Sequence, residues 1–181
     1  MMLTIEEEKA LVQQILDGDT ERYELIVKEY QAIVANLCYR LVGSKLDVED
    51  VVQQVFVELY MALPRFRNES KLSTFIYRIT VNVVSKQYKY QLRHPSYDTV
   101  FPLGHTAIEG SYEDKVVKEE QQRRLKAALG RLKPEQRTAL VLYAFKGFSY
   151  NDVADVMQVS LSKVESLIFR AKKNLKKLIE S

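Results

Sequence analysis

The chain has 181 residues, 46% of them hydrophobic, with six glycines, four prolines and one cysteine, Cys38. This composition fits one medium domain or two small ones, mostly helical, and excludes a disordered or disulfide-stapled protein. The net charge of +3 is laid out in blocks: −7 over residues 1–64, +6 over 65–95, −4 over 96–120 and +8 over 121–181.

Two basic territories separated by acidic ones point to two contacts with a polyanion. The opening MMLTIEEEKALVQQ lacks the cationic-then-apolar order of a secretion signal, and no apolar run reaches the length of a membrane span. A cytoplasmic location is the expectation. Cys38, alone among Leu37, Tyr39 and Leu41, reads as a small core residue.

Helix signals follow one another along the chain. Thr4 and Glu7 form a capping box ahead of IEEEKALVQQIL, which stops near Gly18. A second helix is predicted from about Thr20 to Val42, ending at Gly43, and Asp47 caps a third that closes at Pro64. A fourth begins between Ser70 and Ser73 and runs to about Arg93. The following HPSYDTVFPLGHTAIEGS has two prolines, two glycines and no helical period, which makes it a linker.

Ser111 and Asp114 cap a helix that reaches Gly130, and Pro134 opens another that ends near Gly147. Ser149 and Asp152 are a further capping pair. A short turn then leads to a last helix from about Ser160 to Ile179. The expectation is an all-α protein of two small helical domains, 1–94 and 112–181, joined by a flexible linker over 95–111.

Two short helices joined by MQVS have the layout of a helix-turn-helix, whose second helix enters the DNA major groove. At about 100° per residue, Leu161, Val164, Ile168, Ala171, Leu175 and Ile179 form the core stripe of that helix. Ser162, Lys163, Ser166, Phe169, Arg170, Lys173 and Lys177 gather on the other side, as hydroxyls and long cations suited to base edges and phosphates. A basic amphipathic helix packed in a bundle has the same pattern; the capped helix and tight turn before it favour DNA.

On the third helix, Val48, Val51, Val52, Val55, Phe56, Leu59, Tyr60, Ala62 and Leu63 share one broad apolar face. Asp47, Asp50, Gln53, Gln54 and Glu58 form the opposite ridge, with Val57 and Met61 set into it. Apolar residues inside an acidic, amide-rich ridge fit a protein-binding surface. Such a ridge repels DNA and is expected to look away from it.

The stretch PRFRNESKLSTFIYRITVN and the helix after it read differently. Ile76, Ile79, Val83 and Tyr90 make one apolar stripe, and Tyr77, Val81, Val84 and Tyr88 make a second. Between them Phe75, Arg78, Asn82, Lys86, Lys89 and Arg93 line up as a narrow cationic ridge, preceded by Arg65, Arg67, Asn68, Glu69, Ser70 and Lys71. Cations track a nucleic-acid backbone, aromatics stack on unpaired bases, and a polar loop can hydrogen-bond an extruded base. The combination suits opened DNA. A core role for Phe75 and Tyr77 stays open beside stacking.

YRLVGSKLDVEDVVQQVFVELYMALPRFRNESKLSTFIYRITVN, followed by KPEQRTALVLYAFKGFSYNDVADVMQVSLSKVESLIFRAKKNL, resembles the extracytoplasmic-function sigma factors of bacteria over nearly the whole chain. The resemblance implies two helical domains that bind core RNA polymerase and direct it to promoter DNA. It implies that Asp50, Gln53 and Gln54 contact the polymerase clamp and that 65–93 recognises and melts the −10 element. It further implies capture of a flipped base by 67–71, reading of the −35 element by the last helix, and an anti-sigma factor as a partner. Three positions depart from the family pattern: Phe75 stands where Trp is usual, Gln54 where Glu is common, and VESL (Val164 to Leu167) where a basic VKSR is expected.

No cofactor, metal or catalytic constellation is expected. His94 and His105 fall in the linker without paired carboxylates, and no phosphate-binding glycine loop exists. Two other readings compete: a helix-turn-helix regulator that binds duplex DNA without polymerase, and a polymerase-binding adaptor that opens no promoter.

Overall fold

The computed structural model describes residues 4–42, 47–67, 70–93 and 123–180. Within them the chain is helical. Four helices make the N-terminal domain: α1 (Ile5–Leu16), α2 (Tyr23–Val42), α3 (Val48–Ala62) and α4 (Leu72–Arg93). The C-terminal domain holds α5 (residues 123–130), α6 (Pro134–Lys146), α7 (Tyr150–Met157) and α8 (Leu161–Glu180). Gly43, Asn68, Glu69, the 95–111 linker with His105, His94 and the Ser111–Asp114 cap lie outside the described residues.

The predicted caps are present. The Thr4 hydroxyl accepts the Glu7 amide while the Glu7 carboxylate accepts the Thr4 amide, closing the capping box of α1. The Asp47 carboxylate accepts the Glu49 and Asp50 amides at 2.8 and 3.4 Å. A 3-10 turn, Thr20–Arg22, precedes α2, and a second, Leu63–Arg65, carries Pro64 and ends the α3 rod. Pro134 opens α6 and Gly147, in the left-handed region at φ +67°, closes it. Glycine takes that conformation without a Cβ clash.

In the N-terminal domain, α2, α3 and α4 pack pairwise, and α1 lies across the 3-10 turns. Ile26, Leu37 and Leu41 of α2 meet Val51, Val55 and Leu59 of α3 and Ile76 and Val83 of α4 in one dry cluster. Cys38 is fully buried there, and burial pushes its thiol up to about 12. In the C-terminal domain α8 packs on α6 and α7, with Val164, Ile168 and Ala171 in the core.

The two domains also touch. Helix α7 lies on α4 and α6 on α2, so a single apolar cluster runs through both domains. The second stripe of α4 thereby acquires its partner. Tyr77, Val81 and Val84 are buried, and the Tyr77 ring meets the Phe148 ring edge-on at 4.9 Å.

Stripes are buried only where a neighbouring helix covers them, and this corrects four sequence assignments. Tyr90 near the end of α4, and Leu161 and Ile179 at the ends of α8, are exposed. Tyr60 on α3 is also exposed, at 40%.

The Ser149 hydroxyl and amide hold the Asp152 carboxyl below its usual range. A carboxyl with a lowered folded-state pKa stabilises above its unfolded value, and that contribution disappears as pH falls through the folded one. Ser149→Ala should lower unfolding free energy by about 1 kcal/mol at pH 7. In denaturant titrations the deficit should shrink as pH falls below about 4.

Candidate functional site

Three surfaces carry the residues singled out in the sequence. The first is the outer side of α3. Asp50 and Gln53 are exposed, Gln54 and Glu58 half-buried, and Val57 and Met61 stand 57% and 73% exposed among them. Tyr60 belongs here too. Its ring packs edge-on against Tyr23 at 5.0 Å, and Tyr23, Phe56, Val57, Tyr60 and Met61 line one apolar depression. The Tyr23 hydroxyl donates to the Phe56 carbonyl at 2.6 Å, and burial raises its pKa.

Sequence periodicity assigned Tyr60 to the core. At about 100° per residue, however, it stands only about 60° from Val57, near enough to share an exposed face. The result is a concave apolar patch bordered by carboxylates and amides, a surface suited to a protein partner.

The second surface is the ridge of α4. Asn82, Lys86 and Lys89 are exposed and, with Glu58, Ala62, Ile79 and Ser85, line a groove between α3 and α4. Arg65, Arg67, Ser70 and Lys71 are exposed ahead of it. Arg78 is half-buried, and its Nε has no acceptor among the described residues. Phe75 is half-buried with its ring tilted against Phe66 at 5.1 Å, so it is partly committed to packing and partly open.

The acidic and cationic ridges were expected to face apart, yet they meet at one point. Lys86 Nζ bonds Glu58 Oε1 at 3.1 Å and Oε2 at 3.3 Å across the groove. Glu58 projects from the last turns of α3 toward α4, so the end of the acidic ridge borders the cations. With the two side chains 66% and 39% exposed, such a pair contributes at most about 1 kcal/mol.

The third surface is α8. Ser162, Lys163, Phe169, Arg170, Lys173 and Lys177 are exposed and Ser166 half-buried, with Phe169 70% exposed amid the cations. Lys163 pairs with Glu135 of α6 at 3.3 Å, while the Ser160 hydroxyl accepts the Lys163 amide at 3.3 Å and so caps the helix. Leu167 is buried at 8% exposure. Leucine there adds to the core of the domain, whereas Glu165 is exposed on the helix surface.

The turn between α7 and α8 is made by Gln158, left-handed at φ +54°, whose amide bonds the Ala154 carbonyl. Tight turn, short leading helix and long cationic trailing helix are the parts of a helix-turn-helix.

Two α-helical domains, one with a cationic ridge beside an acidic, apolar-studded helix and one with a helix-turn-helix, have the form of a DNA-binding protein. Residues 26–94 match the family description Sigma-70 region 2, and residues 122–175 match Sigma-70, region 4. The chain is similar to the RNA polymerase sigma-H factor of Pseudomonas aeruginosa, at 33% identity over 99% of this chain and 97% of that one. It is also similar to the ECF RNA polymerase sigma-E factor of Escherichia coli K12, at 34% identity over 91% and 90% of the two chains.

Among solved structures, CnrH in complex with the cytosolic domain of CnrY shares the fold, with TM-score 0.66 and 24% identity over 94% of this chain and 96% of that one. The sigma factor RpoE of Bartonella quintana, solved with the anti-sigma factor NepR, also shares it at TM-score 0.66 and 24% identity, covering 86% and 96%. The chain belongs to the ECF sigma-70 family of RNA polymerase sigma factors, which direct the polymerase to promoters and are not themselves catalysts.

Gln158 pays the left-handed penalty that glycine avoids. Gln158→Gly should raise unfolding free energy by up to about 1 kcal/mol, visible as a higher melting temperature with no change in helical content.

Proposed function

We propose a division of labour along the chain. Residues 1–94 form the domain that binds core polymerase and the −10 element, 95–111 a linker, and 112–181 the domain that reads the −35 element. The outer face of α3, through Asp47, Asp50, Gln53, Gln54, Val57, Glu58 and Met61, docks on the polymerase clamp. Arg65, Arg67, Ser70, Lys71, Phe75, Arg78, Asn82, Lys86 and Lys89 hold the −10 strands as they part, together with Asn68 and Glu69. Ser162, Lys163, Ser166, Phe169, Arg170, Lys173 and Lys177 meet the −35 duplex.

The observation that carries this reading is the pairing on adjacent helices. Val57, Tyr60 and Met61 are exposed apolar residues of an acidic helix, and Lys86, Lys89 and Arg93 are exposed cations of the next. A protein partner suits the first and a phosphate backbone the second. CnrH and RpoE were solved with CnrY and with the anti-sigma factor NepR, and this chain has the same fold. An anti-sigma factor that covers these surfaces is therefore part of the proposal, with the cytoplasm as the place of action. Linker length also agrees: seventeen residues reach at most about 55–60 Å, more than the ~34 Å of one DNA turn.

Asp50→Arg with Gln53→Ala should remove binding to purified core polymerase, a loss of about a thousand-fold if each contact contributes ~2 kcal/mol. Both side chains are exposed, so the melting temperature should barely move. Unchanged co-purification with core would contradict the clamp assignment.

Arg78→Ala with Lys86→Ala should impair strand opening more than core affinity, and should reduce the salt slope of promoter binding by roughly two. Equal loss of opening and core affinity would contradict the melting role.

A further inference from the structure

Helix α8 carries a carboxylate where its sequence is otherwise cationic. Glu165 is exposed, and from Leu161 to Lys177 it is the one acidic residue of the helix, against six lysines and arginines. Among the described residues it makes no ion pair and no hydrogen bond through its side chain.

The usual local uses of a helical glutamate do not apply to it. The helix dipole favours a carboxylate within the first turn, and Glu165 stands beyond that turn. Ion pairs along a helix need a cation three or four residues away, where Glu165 has Leu161, Ser162, Ile168 and Phe169. Two lysines of α8 nearby are otherwise engaged. Lys163 pairs with Glu135 at 3.3 Å, and Lys172 Nζ lies 4.8 Å from the Tyr143 ring centre.

Its position is one that counts in a helix-turn-helix, where the N-terminal residues of the second helix meet base edges. At about 100° per residue Glu165 stands about 60° from Ser162 and about 40° from Phe169, both exposed on the face assigned to the −35 duplex. A carboxylate brought there is repelled by phosphates and by every acceptor in the groove. Guanine presents N7 and O6, and thymine presents O4 beside its methyl group, so neither offers a donor. Adenine sets its N6 amine next to the N7 acceptor, which repels a carboxylate oxygen. Cytosine presents the N4 amine with no acceptor of its own beside it.

The geometry points to Glu165 as a specificity-determining residue: its carboxylate accepts the N4 amine of one cytosine in the −35 element and disfavours the other three bases at that position. The inference deepens the assignment of α8 to the −35 duplex and rests on it. Repulsion lowers general affinity for DNA, and selectivity follows because cytosine supplies the donor that satisfies the desolvated carboxylate. Glutamine at the same place matches adenine instead, whose N6 donor and N7 acceptor take an amide bidentately.

Core polymerase reconstituted with the full chain, transcribing a promoter library randomised over both elements, tests this base by base. The wild type should favour cytosine at one upstream position by about five- to tenfold. Glu165→Ala should flatten that preference, and Glu165→Gln should turn it toward adenine, with the other positions unchanged. The side chain is exposed, so both variants should melt as the wild type does.

A cytosine preference that survives either substitution, or variants that alter all positions alike, would overturn the inference. Arg170→Ala separates this from failure of the −35 assignment. If it weakens the upstream preference while the Glu165 variants shift nothing, α8 still reads DNA and the role of Glu165 alone falls. An upstream region without any base preference in the wild type would overturn both.

Discussion

The double clamping of α4 governs the rest of the molecule. Ile76, Ile79 and Val83 bury one flank in the N-terminal core, while Tyr77, Val81 and Val84 bury the other, with α7 lying on that side. A helix gripped on two sides keeps only a narrow strip for solvent. On this helix the strip holds Asn82, Lys86 and Lys89. At about 25 cal/mol per Å² of apolar surface removed from water, each large residue in those flanks contributes about 1.5–3 kcal/mol, far more than any exposed charge on the ridge. Packing therefore fixes where the cations stand, and leaves them exposed.

The exposed ion pair of Lys86 with Glu58 fits this arrangement. It holds the lysine side chain across the groove between α3 and α4, and its exposure keeps it weak enough for a phosphate to replace the carboxylate. The same principle separates surface from core on α8. Leu167 joins Val164, Ile168 and Ala171 inside, while Phe169 and the lysines stay outside. A sigma factor must give separate surfaces to polymerase and promoter, and short helices packed on shared apolar seams provide them.

Much of the fold was legible because its signals are local. Thr4 with Glu7, Asp47, Pro134, Gly147 and the Ser149–Asp152 pair act within one helical turn, and each stands where the sequence indicates. Gln158 was not legible as a left-handed residue, because glutamine carries no signal for that conformation.

Non-local facts were harder to read. The two stripes of α4 are visible at 100° per residue, but nothing in them says that α7 covers the second. Tyr60 at the margin of a broad apolar face gives no sign of which neighbour fails to cover it. Arg137 is 2% exposed with its guanidinium over the Tyr88 ring of the other domain, a non-local contact that helical periodicity does not reveal. Asn68 and Glu69 lie outside the described residues, and their assignment rests on the polar character of the loop together with the family resemblance.

Transcription reconstituted from purified core polymerase, a library of promoter fragments and this chain, with permanganate mapping of unpaired thymines, tests the central claim most directly. The account predicts initiation and thymine reactivity near −10 only when core and this chain are both present. Duplex binding by the chain alone, with no initiation and no unpaired thymines on adding core, would contradict it.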